Sequence, residues 1–188
     1  EVIRVLDEDT DNILTECGNP AMEGGWCVKG LVMGDVQSGK TASYCGLMSK
    51  AADAGYKFIV LLTGMIEDLR AQSQERLDEG FVGRDSRELL DGKRATKPMG
   101  AGRFRSRIPN VLTSIDADFL TANKRALGGI PLENINEPVL LVMKKNRSPL
   151  SNLIQFLDSQ MKGGASQVHL PLLLVDDEAD NASVNSRK

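Results

Sequence analysis

The stretch LVMGDVQSGKT, at positions 31–41, has the spacing G-x-x-x-x-G-K-[ST] through Gly34, Gly39, Lys40 and Thr41. Each part has a task in binding a polyphosphate. Gly34 and Gly39 let the backbone turn, so that N–H groups of the loop through Gln37 and Ser38 face phosphate oxygens. A helix starting there points its positive end at the same anion. Lys40 offers a mobile charge to the outer phosphates, and the Thr41 hydroxyl is a ligand for Mg²⁺. A second stretch, LLLVDDEAD at 172–180, is an apolar run that ends in acids. Carboxylates at a buried strand end are costly without a cation. Mg²⁺ relieves that cost through carboxylate and water. Glu178 is then placed to orient or deprotonate an attacking water. Aligning 177–180 as D-E-A-D assigns the metal to Asp177, with Asp176 the alternative. Taken alone, these acids could equally sit at the solvated start of a loop.

Such groups need a scaffold that brings two distant segments together. The chain has 188 residues, 41% hydrophobic and 26% charged, which suits one domain with a sizeable core. Aromatics are only 4%, so that core is mainly aliphatic. Apolar runs at 29–36, 57–64, 109–114, 138–146 and 170–177 read as five strands. They are continuously apolar rather than alternating, which points to a mainly parallel sheet covered on both faces. Helices are expected at 39–55, with Gly55 as the stop, at 65–80 with Ile66, Leu69, Ser73 and Leu77 inward, and at 148–161 with Ser148 as N-cap ahead of Pro149. Residues 1–28 read as an approach segment, with a polar helix over 1–16, and 29–188 as one lobe. Residues 84–107 are polar and read as a long loop or insertion.

The net charge of −3 excludes a whole-chain basic surface, so any nucleic-acid site must be local. The sharpest local candidate is 93–107, with six basic residues, no acid and one aromatic, Phe104. Arg103 and Arg105 would neutralise phosphates while Phe104 stacks on a base. A solvated loop has the same composition. Lys144 and Lys145 leave the end of an expected strand, where a doubly wound sheet binds ligands. Arg70, Gln72 and Arg76 lie on an expected helix and suit either a nucleic-acid contact or a solvated face. Trp26 suits adenine stacking or packing. His169 has no obvious partner. Cys17, Cys27 and Cys45 form no CxxC pair, which argues against structural zinc and suggests a reducing, cytoplasmic setting. The apolar runs are too short to span a bilayer. A start at Glu1 suggests a piece of a longer protein.

The order GxxxxGKT, then a strand ending in DEAD, resembles superfamily-two helicases and translocases, with TGMIEDLRAQSQERL between them where that superfamily contacts nucleic acid. Thr63, Arg70 and Gln72 match that segment loosely. The wording GLVMGDVQSGKTASYCGLMSKAADAGYKFIVLLTG, LRAQSQERLDEGFVG, LLVMKKNRSPLSNLIQFLD and LLLVDDEADNASVN resembles more narrowly the bacterial Z-one domain family. That resemblance implies a three-layer, RecA-like P-loop ATPase domain using ATP and Mg²⁺. It implies DNA as a partner, within prokaryotic DNA modification or defence clusters. It also implies a second RecA-like lobe that completes the ATP site with an arginine. On this reading the chain is the first lobe, and its own hydrolysis is slow or absent. The family is often labelled an endonuclease. Asp91-Gly-Lys93 is only a loose match to a metal-nuclease motif, so cutting residues are expected elsewhere. Two rivals are a small-molecule kinase, with 93–107 as a lid, and a nucleotide-gated interaction module that binds ATP with little turnover.

Overall fold

The computed structural model describes residues 2–33, 39–93, 96–119, 132–161 and 170–179. Within them four strands form one sheet: β1 (Phe58–Thr63), β2 (Asn110–Val111), β3 (Val139–Lys144) and β4 (Leu172–Asp176). Their order is β2-β3-β1-β4 and every pairing is parallel. Val60, at the centre of β1, lies opposite Leu141 on one side and Leu174 on the other. Strands rich in Val, Ile and Leu fit a pleated, two-sided core, and parallel neighbours require crossovers long enough to hold helices.

Among the described residues five α-helices accompany the sheet: α1 (Val2–Glu16), α2 (Lys40–Ala54), α3 (Glu67–Leu77), α4 (Ser86–Leu90) and α5 (Arg147–Gln160). The two-residue period of β1 and β3 divides the core. Ile59, Leu61, Leu140 and Val142 pack with Tyr44, Leu47 and Met48 of α2 and Leu77 of α3. Phe58, Val60, Leu141 and Met143 face the other way, onto Leu153 and Phe156 of α5. The protein is therefore α/β, with a parallel sheet covered by helices on both faces. The helix expected over 1–16 is α1. It lies on α2, where Lys50 pairs with Asp7 and Asp11 at 2.7 and 2.6 Å.

Several expectations need correction. The strand expected over 29–36 is not formed in its described part, 29–33; Met33 there is 85% exposed. Only three apolar residues stand between Gly30 and Gly34, and glycine weakens a strand, so pairing does not follow from propensity alone. The inward stripe of α3 is also different. Ile66 is the N-cap, outside the helix and exposed, and the buried positions are Arg70, Ser73, Gln74 and Leu77. Polar side chains turn inward because buried partners await them. Gln74 Nε2 donates to Asp78 Oδ1 at 2.9 Å, while its Oε1 accepts from the Thr113 hydroxyl at 2.8 Å. After Leu77 the chain continues into a π-helical turn, Asp78–Val82. In α5 the N-cap is Asn146, which leaves Pro149 third in the helix, where its missing N–H is still harmless.

The segment 84–107 is partly structured. Asp85 caps α4 by accepting from the Arg87 N–H, and a 3₁₀ turn covers Gly100–Arg103. Gly83, at φ 75°, lies against the backbone of Gly102 so closely that a Cβ on either residue would strike the other chain segment. No helix among the described residues is long and apolar enough to cross a membrane.

Candidate functional site

Lys40 and Thr41 are the first two residues of α2. Gly39 precedes them with φ 81°, a left-handed conformation that favours glycine. The start of α2 therefore depends on the glycine that the motif requires. Gly34, Gln37 and Ser38 lie outside the described residues, as do Asp180 and His169.

The acidic segment begins at the carboxyl end of β4. Asp176 is the last residue of the strand, and Asp177 follows it with its N–H donating to Leu62 O at 2.8 Å. That bond extends the β1–β4 ladder by one step and fixes the direction in which the acids leave the sheet. Glu178 then adopts φ 55°. A positive φ is uncommon for a residue with a side chain and is held only where surrounding contacts enforce it. Those contacts are visible. The Glu178 N–H donates to Asp177 Oδ1 at 3.1 Å, and its carbonyl accepts from Lys145 Nζ at 2.6 Å. Its carboxylate lies over Gly64, where a Cβ would sit 2.8 Å from Oε2.

Lys144 and Lys145 leave β3 beside this edge, and both are engaged internally. The Lys145 side chain is largely buried and pairs with Asp176 Oδ1 at 2.6 Å. Lys144 Nζ pairs with Glu67 Oε2 at 2.5 Å and approaches Asp118 at 4.0 Å. Partial burial works to raise the Glu67 pKa, but its bonds to Lys144 and Arg70 carry it below the ordinary value. Asp176, the alternative metal ligand, is thus paired with Lys145, whereas Asp177 accepts from the Glu178 N–H. Burial pushes the Asp177 pKa up and the Glu178 charge adds to the rise; the positive charges of Lys145 and Lys40 oppose it. Helix α2, which Lys40 opens, is in contact with β4, so two segments distant in sequence meet at this edge.

Tyr44 of α2 and Ser73 and Arg76 of α3 also lie near Thr41, and the residue pattern alone assigns none of them a role here. Tyr44 is 6% exposed, and its hydroxyl has no hydrogen-bond partner among the described residues. Burial raises its pKa; the nearby Thr41 and Ser73 hydroxyls oppose that rise without meeting the phenol in bonding geometry, and the Asp177 charge adds to it. The Tyr44 hydroxyl is thus buried near the Thr41 and Ser73 side chains without bonding to either. Arg76, exposed on α3, donates from Nη1 to Thr41 Oγ1 at 3.1 Å. The signal was present as helical spacing: Thr41 and Tyr44 are three apart on α2, as are Ser73 and Arg76 on α3, so each pair shares a face.

Arg70 requires a correction. It was expected on an exposed helix face but is fully buried. Its guanidinium donates to Ser114 O at 2.8 Å, to Ile115 O at 2.7 Å and to Glu67 Oε1 at 2.7 Å. It ties the loop after β2 to α3. Gln72 is exposed. Thr63 is buried and donates to Met143 O at 3.1 Å. Phe104 is 91% exposed between Arg103 and Arg105. Arg105 lies 3.8 Å from Asp53 and Arg107 3.6 Å from Glu137, while Arg103 is exposed and makes no ion pair among the described residues. Trp26 covers Gly18 and meets Tyr56 edge-on, with ring centroids 5.8 Å apart. Cys45 packs against Gly80 at 3.5 Å from the position of an added Cβ, and burial pushes its thiol up to about 11.

Comparison of the chain with protein-family models, with curated proteins and with solved structures finds no match to any of the three.

Proposed function

We propose that this domain binds MgATP at the start of α2, as the RecA-like first lobe of a DNA-directed P-loop ATPase. The reading rests above all on one observation: α2, which begins with Lys40 and Thr41, lies against β4, the strand that leads into Asp177. A phosphate cradle and its metal-side acid must meet in this way for a polyphosphate and Mg²⁺ to share them.

The residues fit such a ligand in kind. Lys40 would neutralise phosphate oxygens, and Thr41 and Asp177 would hold Mg²⁺. Bound Mg²⁺ would screen phosphate charge and polarise the terminal phosphate. Among the described residues no three His, Cys, Asp or Glu side chains converge as a metal cage. Magnesium beside a nucleotide uses one or two carboxylates, with water and phosphate completing its shell. Glu178, held over Gly64, is the candidate to orient water. The buried, unpartnered Tyr44 hydroxyl beside Thr41 is a polar group that lacks an acceptor or donor until something enters.

Turnover requires stabilisation of transition-state charge. The resemblance assigns part of that to a second RecA-like lobe, so hydrolysis by this chain alone is expected to be slow. Phe104 with Arg103 and Arg105 is the surface proposed for DNA, since an exposed aromatic amid cations suits base stacking over a neutralised backbone. Other defence or modification proteins follow as partners from the same resemblance.

Titration calorimetry with MgATP on the wild-type chain and on Lys40→Ala tests the reading. Saturable binding that disappears in the variant supports it. Equal binding by both proteins would remove the cradle from consideration.

A further inference from the structure

Arg76 is the cation closest to the proposed magnesium ligand that the cradle motif does not account for. Its Nη1 lies 3.1 Å from Thr41 Oγ1, on a neutral hydroxyl. Among the described residues it makes no ion pair, although this chain pairs many of its other exposed cations, Arg4, Arg87 and Arg107 among them. The bond to Thr41 rests the guanidinium on the first turn of α2. The Tyr44 hydroxyl, on the residue three after Thr41 along α2, is buried and has no hydrogen-bond partner among the described residues. A helix start, an arginine with only a neutral partner and a buried donor without an acceptor thus converge on one volume beside Thr41. Anionic oxygens would satisfy all three.

We infer that Arg76 is a ligand for the terminal phosphate of the bound nucleoside triphosphate, resting on the Thr41 hydroxyl until that phosphate arrives. The inference rests on the proposed nucleotide site and adds a residue that distinguishes triphosphate from diphosphate. The physical requirement is simple. Mg²⁺ on Thr41 Oγ1 and a guanidinium on the same oxygen repel each other with no anion between them. Arg76 must therefore leave Thr41 when the metal binds. It lies on an exposed face of α3 and has a long, flexible stem, so it turns without disturbing the core. An oxygen of the outermost phosphate offers it a charged acceptor in exchange for a neutral one, and guanidinium is suited to two such oxygens at once.

The test is calorimetric titration of the wild type, Arg76→Ala, Arg76→Lys and Lys40→Ala with MgATP and, separately, with MgADP. Arg76→Ala is expected to weaken MgATP on the order of tenfold or more, the loss of one charge-assisted hydrogen bond, and to leave MgADP within about threefold. Arg76→Lys should recover part of the ATP preference, because the charge remains while the forked geometry is lost. An unchanged thermal midpoint in Arg76→Ala excludes a folding defect. Equal weakening of ATP and ADP, no change, or tighter binding of both would overturn the role of Arg76 while Lys40→Ala still loses binding. Failure of the wild type to bind either nucleotide would overturn the nucleotide site itself, and the inference with it.

Discussion

Replacing Arg70 by alanine separates a structural arginine from a nucleic-acid contact. The side chain is fully buried, so the variant loses both packing and hydrogen bonds. Two stem methylenes, Cγ and Cδ, at about 0.8 kcal/mol each, account for roughly 1.6 kcal/mol. Ser114 O retains a second donor, the Ala117 N–H at 3.2 Å, and Glu67 retains Lys144. Ile115 O, part-buried, loses the Arg70 bond, and an acceptor left unsatisfied there costs about 1–3 kcal/mol. Relief of guanidinium desolvation offsets part of this. The net expectation is roughly 3 kcal/mol, a large share of a typical domain's 5–15 kcal/mol. At a urea dependence of about 2 kcal/mol per molar, the unfolding midpoint falls by roughly 1.5 M. Urea denaturation followed by far-UV circular dichroism reads this directly. Arg70→Met, which keeps most of the stem, should recover more than half of the loss, and exposed Gln72→Ala should stay within about 0.5 kcal/mol of wild type. If Arg70→Ala unfolds within 0.3 M, or about 0.6 kcal/mol, of wild type yet loses DNA affinity, the internal role is wrong and the arginine contacts nucleic acid after all.

Other outcomes follow from the same geometry. Gly64→Ala places a Cβ 2.8 Å from Glu178 Oε2 and must push that carboxylate aside; nucleotide affinity should stay within about threefold while any ATP hydrolysis, measured by phosphate release, drops on the order of tenfold or more. Asp78 accepts from Gln74 and twice from Ser86, yet burial pushes its pKa from 3.8 to about 6. The folded state then binds the additional proton between those values, so stability falls as pH rises through that window, by roughly 3 kcal/mol in all. Urea midpoints from pH 4.5 to 7 should show this slope in wild type and lose it in Asp78→Asn; the same slope in both would assign it to another group. Phe104→Ala should weaken single-stranded DNA binding by about 1–3 kcal/mol, and Arg103→Ala should reduce its salt dependence by about one ion. Unchanged fluorescence anisotropy for both variants would move the proposed DNA surface elsewhere.

By itself the sequence determined the elements that are built from local contacts. Runs such as FIVLLT and VLLVMK have the aliphatic content of strands buried on both faces, and β1 and β3 form there. The helix after the cradle starts beside Gly39 and stops at Gly55 because glycine alone takes those left-handed turns readily. The roles proposed for Lys40, Thr41, Asp177 and Glu178 come from residue type and order, while the contact of α2 with β4 comes from the fold. Tertiary structure decided what each charge faces. No periodicity distinguishes buried Arg70 from exposed Gln72 two residues on, because the difference lies in the Ser114 and Ile115 carbonyls, contributed by a loop more than forty positions away. Lys145 read as a surface cation until β3 and β4 took their places on either side of β1 and Asp176 came within 2.6 Å. The exposed 29–33 segment makes the same point from the other direction: an apolar run becomes a strand only where a neighbouring backbone pairs with it, and pairing is a long-range choice.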